Sequence, residues 1–194
     1  MTTNQKVCVL FAREDSVYKT FQDCDVWDIE RDARNYSGNC PIIAHPPCRA
    51  WGRLRHMAKP RPDEKELAIF AVEIIRKNGG ILEHPAGSTL WPRMNLPAPG
   101  ASDCFGGFTF PVDQNWFGHR ARKRTLLYIV GTTAANLPTL PFSIAPATHV
   151  IGTSLEKKDG SGDVLKPTCT HAERERTPIA FAEWLIAIAK STTR

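Results

Sequence analysis

Pro41-Ile42-Ile43-Ala44-His45-Pro46-Pro47-Cys48 decides the fold. Its first four residues form a short apolar run that reads as a buried strand. Pro46 and Pro47 stop the strand and stiffen its exit. Cys48 then stands at the strand's carboxyl end. Downstream, Leu67, Phe70, Ala71, Ile74 and Ile75 fall on one face at helical spacing, which predicts a helix over Asp63 to Asn78. Asp63 and Glu66 supply a capping pair, and Gly79-Gly80 ends the helix. Ile81-Leu82-Glu83-His84 is the next buried strand, halted by Pro85. Strand, helix, strand implies parallel strands joined by a right-handed crossover. In open α/β sheets ligands bind along the carboxyl ends of such strands. Cys48 and Glu83 are therefore expected on one edge.

Working outward, Lys6 to Phe11 reads as a buried first strand, Ala12 to Ser16 as a polar loop and Val17 to Phe21 as a short helix. Asp25 to Asp28 reads as a second strand, with Asp28 and Glu30 at its end. Residues 85–115 look irregular, being rich in glycine and proline. Leu126 to Val130 is another buried strand. Residues 132–176 form an irregular excursion with a hairpin expected around Asp159–Asp163. Thr177-Pro178 opens a last helix to about Lys190, with Ile179, Ala182, Leu185, Ile186 and Ala189 facing the core. One domain over residues 1–194 is expected.

Composition narrows the class. Apolar residues make up 42% of the chain, enough for a core. A net charge of +5 favours an anionic partner, nucleic acid first. The six cysteines (8, 24, 40, 48, 104 and 169) are scattered, and no signal peptide is read before them, so a reducing cytoplasm is expected. No apolar run approaches a membrane span. His45, His84 and His119 lack a Cys-x-x-Cys companion, so they read as site-lining groups, not metal ligands. Trp51, Trp91 and Trp116 read as cover for core edges, with base stacking as the alternative. The basic run Arg49, Arg53, Arg55, His56 is expected to favour the Cys48 thiolate.

A thiolate and a carboxyl group on adjacent parallel strands suit attack on a pyrimidine ring. The thiolate adds to C6, C5 becomes a nucleophile, and a carboxyl group at N3 stabilises the electron-rich intermediate. A cation can hold O2. On these residues the chain resembles the DNA cytosine-C5 methyltransferases. His45-Pro46-Pro47-Cys48 looks like that family's Pro-Cys nucleophile motif, and Glu83 sits where it has the glutamate of Glu-Asn-Val. Phe117 to Arg124, followed by Leu126 to Gly131, looks like its Gln-x-Arg-x-Arg motif and the strand after it. The likeness covers about residues 40–131 well and the two ends loosely. The chain also resembles small bacteriophage-encoded proteins related to cytosine methylases, which implies the cytoplasm of a bacterial or infected cell.

The resemblance implies a Rossmann-like, methyltransferase-type open sheet, mostly parallel, with helices on both faces. It implies Cys48 as nucleophile, Glu83 as N3 partner and Arg122 or Arg124 as O2 contact. It implies S-adenosylmethionine as donor, at Phe11, Ala12, Arg13 and Pro46, with Asp28 and Glu30 on ribose hydroxyls. DNA is the implied partner, with Arg49, Arg53, Arg55, Arg120 and Lys123 on phosphates and the base flipped out of the duplex. Phe11-Ala12-Arg13-Glu14-Asp15 stands where the family has Phe-x-Gly-x-Gly. Arg120 replaces the glutamine of Gln-x-Arg-x-Arg, and residues 132–176 are far shorter than a target-recognition region. These departures carry two alternatives: a free pyrimidine nucleotide or a different one-carbon donor as substrate, and a non-catalytic nucleic-acid-binding module.

Overall fold

The computed structural model describes residues 6–143, 145–152 and 166–192. Six strands form one sheet: β1 (Val7–Leu10), β2 (Cys24–Trp27), β3 (Ile42–Ala44), β4 (Gly80–Pro85), β5 (Phe108–Asp113) and β6 (Arg124–Val130). The order is β2-β1-β3-β4-β6-β5. β1 to β4 run parallel, and β6 is antiparallel to both β4 and β5. This is a mostly parallel, Rossmann-like α/β sheet.

Side-chain alternation divides the sheet into two buried faces. Cys8, Leu10, Ile42, Ala44, Leu82, Tyr128 and Val130 pack on one side with α1 (Glu64–Asn78). Val7, Val9, Ile43, Ile81, Leu127 and Ile129 pack on the other with α4 (Ile179–Ser191). Fully burying each of the larger aliphatics contributes roughly 1.5–3 kcal/mol. The helix α1 presents Leu67, Ala68, Ala71, Val72 and Ile75 to the sheet. Phe70 and Ile74, expected in that stripe, sit at its half-buried margin.

Gly80 is where α1 must hand over to β4. Its φ is +126°, and a Cβ there would lie 2.1 Å from the Ile42 carbonyl oxygen. Only glycine lets β4 enter beside β3 at this point.

Several local expectations need correction. Asp63 makes no side-chain cap to α1; its carboxylate accepts from Arg34 at 2.9 Å instead. Pro178, not Thr177, precedes α4, and Ile179 is exposed rather than core-facing. Residues 85–115 are not irregular throughout: they hold α2 (Leu90–Arg93) and β5. Pro111 hid β5, because an internal proline argues against a central strand, yet β5 is an edge strand, where proline is tolerated. Within residues 132–176, α3 (His171–Glu175) is closed by a capping box between Thr170 and Glu173. The hairpin expected at Asp159–Asp163 lies outside the described residues.

Candidate active site

The loops after β1, β3 and β4 surround one cavity of about 590 Å³ at the carboxyl edge of the sheet. Cys48, Glu83, His45 and Lys123 line it, together with parts of the Phe11–Tyr18 loop and the segment around α3. The parallel pairing of β3 and β4, with Ala44 opposite Leu82, brings the two strand ends side by side. Thus the proline-stiffened exit carrying Cys48 and the strand end carrying Glu83 share a cavity.

Cys48 is set on a tight turn: its carbonyl accepts from Trp51 N at 3.0 Å and Gly52 N at 2.8 Å. The next residue, Arg49, donates from Nε to Glu64 at 2.6 Å, and that carboxylate is fully buried in the first turn of α1. This ties the cysteine loop to the helix. Cys48 itself reaches solvent. The surrounding protein bulk and the negative Glu83 push its thiol above the ordinary value, while Lys123 acts against them. The expected activation by Arg49, Arg53 and Arg55 is absent. Arg49 is engaged with Glu64, the Arg53 stem lies against Gly87, and Arg55 is exposed. Sγ is therefore a thiol at neutral pH.

Glu83 is the best-held group of the cavity. Oε2 meets His45 Nδ1 at 3.0 Å, and Oε1 accepts from Gln114 Nε2 at 3.0 Å. His45 Nε2 meets the Tyr18 hydroxyl at 3.1 Å. Gln114 Nε2 also donates to Thr125 Oγ1 at 3.1 Å. Burial alone would raise the Glu83 carboxyl, but Lys123 and His45 outweigh it and hold it at about 2. Tyr18 stays a phenol, because burial and the Glu83 charge push it well above its usual value. One arrangement satisfies all three groups: Tyr18 donates to His45 Nε2, and His45 Nδ1 donates to Glu83. Glu83 then offers the cavity lone pairs and no proton. The expected donation of its proton to N3 needs a proton from elsewhere.

Of the expected cations, the cavity receives Lys123 and Arg49, the latter paired with Glu64. Arg122 lies outside it, 3.4 Å from Asp113, and Arg124 is exposed at the start of β6. Arg120 is exposed and paired with Glu173. Phe11, Ala12, Arg13 and Pro46 line the cavity. Phe11 has φ +60°, a left-handed conformation that costs a non-glycine residue about 1–3 kcal/mol. Asp28 and Glu30 do not line it: Asp28 accepts from Lys19 at 2.7 Å and from Glu30 N at 3.2 Å, and Glu30 is exposed. His84 also lies elsewhere, fully buried, and His119 bonds the Ala121 and Glu173 carbonyls. Trp51 and Trp91 are buried, and Trp116 packs on Phe142.

The segment around α3 forms the remaining wall. Arg13 pairs with both Asp15 and Glu175, and Arg176 reaches Asp15 at 3.3 Å. These ion pairs join the loop after β1 to the chain after α3. Sequence reasoning did not find Tyr18, Gln114, Thr125 or Arg174. Gln114, which also bonds Thr125, reaches Glu83 only because β6 lies antiparallel between β4 and β5, and nothing local signals that. No family model matches the chain, and no curated protein matches it. No group of three or more His, Cys, Asp or Glu side chains suited to a metal occurs among the described residues. Among them, too, no helix is long and apolar enough to cross a membrane.

Proposed function

We propose that the protein is an enzyme that modifies C5 of a cytosine-type pyrimidine through a covalent adduct between Cys48 Sγ and ring C6. The observation that carries this reading is the meeting of Cys48 and Glu83 in one cavity at the ends of adjacent parallel strands. The antiparallel strand β6, set between β4 and β5, supports the methyltransferase-type expectation for the sheet.

In the proposed step the Cys48 thiolate forms a bond to C6, and the ring π electrons move to C5. The ionised Glu83 accepts from the exocyclic amine of cytosine and fixes the ring edge. C5 then attacks an electrophilic one-carbon donor, whose leaving group departs with the bonding pair; solvent water takes the C5 proton, the C5–H pair re-forms the C5=C6 double bond, and the C6–S bond breaks with its pair returning to Cys48 as thiolate. The residues do not fit S-adenosylmethionine as the resemblance implies. The chain after β1 has a strained phenylalanine where glycine backbone is required, and of the acidic pair for ribose hydroxyls Asp28 is held by Lys19 and Glu30 is exposed, both outside the cavity. No step is therefore routed through that donor.

One observation favours a free nucleotide over duplex DNA. Arg49 and Arg120, two of the five cations expected on a backbone, are already paired with carboxylates. The test is intact-mass analysis after incubation with 5-azacytosine, a ring more electrophilic at C6, offered within DNA and as a free nucleotide. Wild type gains the mass of one substrate, and Cys48→Ser gains none. Absence of adduct with both forms would sink the reading.

A further inference from the structure

Taking a cation half out of water with no counter-ion nearby is unfavourable, and an arriving anion recovers that cost. Most cations around the cavity already have such a partner: Arg13 has Asp15 and Glu175, Arg176 has Asp15, and Arg49 has Glu64. Two have no carboxylate within ion-pair distance among the described residues: Lys123 and Arg174, both half-buried and both lining the cavity, with the Lys123 charge acting on Glu83 only from farther off. The only hydrogen bond from the Arg174 side chain among the described residues runs from Nε to the Thr170 carbonyl at 3.4 Å, which leaves the two terminal nitrogens of the guanidinium free. That fork matches the geometry of phosphate oxygens. Arg174 is held in place from two sides, by the Thr170–Glu173 capping box of α3 and by the flanking pairs Glu173–Arg120 and Glu175–Arg13.

We propose that Lys123 and Arg174 form a phosphate subsite inside the cavity, which takes the phosphate monoester of a free pyrimidine nucleotide. The proposal rests on the pyrimidine chemistry put forward above and names its substrate class. The nucleotide lies with its ring between Cys48 and Glu83 and its phosphate on the two cations. A cavity of about 590 Å³ suits such a ligand, since small-molecule sites span roughly 300–1,000 Å³. A phosphodiester of DNA offers the same oxygens with one charge fewer and a strand running out on both sides. The walls that the strand would have to pass are joined by the ion pairs of Arg13 and Arg176.

The experiment measures two things on the full chain. Calorimetry reads the binding of inorganic phosphate, and peptide mass analysis reads the protection of Cys48 from iodoacetamide. The probes for protection are dCMP, deoxycytidine and a single-stranded oligonucleotide with one internal cytosine. We expect dCMP to protect at a concentration about tenfold or more below deoxycytidine, the scale of one lost charged hydrogen bond. Arg174→Gln, checked by melting to be folded, abolishes phosphate binding and removes the dCMP advantage; Arg174→Lys restores part of it. Absence of phosphate binding overturns the subsite. So does a dCMP advantage that survives in both Arg174→Gln and Lys123→Gln. Protection by the oligonucleotide equal to that by dCMP overturns the monoester assignment and makes the phosphodiester the source. Phosphate binding that Arg174→Gln abolishes, without protection by any pyrimidine probe, upholds the subsite and removes the pyrimidine reading instead.

Discussion

Glu83 and His84 are neighbours on β4, and the pleat sends them to opposite faces of the sheet. On one face Glu83 is bonded by His45 and Gln114 and kept ionised. On the other, His84 is fully buried beside Trp91, and neither ring nitrogen has a protein partner. Burial pushes His84 down to about 4, so it remains neutral. The same strand end thus holds a charge that is supported and a polar ring that is not. A buried polar group is stabilising only where its hydrogen bonds are made, and the supported face is the one that lines the cavity.

The largest effect that can break this contrast is on rate. Glu83→Gln removes the ionised acceptor while His45 can adjust its tautomer to the new amide. Turnover of the substrate that the azacytosine trap identifies should fall by roughly 10² to 10³, the scale for losing one preorganised hydrogen-bond partner, with the fold retained in thermal melting. Wild-type turnover in this variant would remove Glu83 from the mechanism.

Next in size is acid stability, which should be lost in two stages. His84 is neutral in the fold, whereas the unfolded chain protonates it below its ordinary value of 6.5. The unfolded state then binds more protons, so stability falls as pH drops from 6.5 to about 4, by about 3 kcal/mol. Glu83 is lowered from 4.5 to about 2, so its contribution is present above 4.5 and is lost as pH falls towards 2. Denaturant unfolding across pH 2–8 reads both stages. His84→Leu should sharpen the comparison by removing the first stage alone. It should raise stability at pH 5 by about 2 kcal/mol and move the lower stage only slightly, since Lys123 and His45 hold Glu83 down more than His84 does. An unchanged upper stage would show that His84 is hydrated in solution.

The smallest expected effect on stability comes from Arg13→Ala. The Arg13 pairs are partly exposed, so the loss should stay under about 1 kcal/mol by melting. Iodoacetamide labelling of Cys48 should nevertheless quicken, because one tie between the β1 loop and the chain after α3 is gone.

The buried runs of β1, β3, β4 and β6 were legible because each is a continuous apolar stretch bounded by polar, glycine or proline residues. Cys48 and Glu83 were legible because Pro46, Pro47 and Pro85 mark where their strands stop. The rest depended on pairing that no local pattern records. Among Arg122, Lys123 and Arg124 the sequence offers three equivalent cations. Only the antiparallel register of β6 turns Lys123 to the cavity, buries Thr125 and leaves Arg124 outside. Gln114 follows β5, the strand that Pro111 concealed. Tyr18 falls within the short helix expected after β1, and its hydroxyl meets His45 only because β1 and β3 are neighbours.

The central claim, that Cys48 and Glu83 act within one cavity, can be tested without any substrate. The rate of Cys48 alkylation by iodoacetamide, followed against pH by peptide mass analysis, gives the midpoint of the thiol titration. The Glu83 charge holds that thiol up, so Glu83→Gln should move the midpoint to lower pH. A midpoint that stays where it is, in a variant that melts like wild type, would contradict the claim.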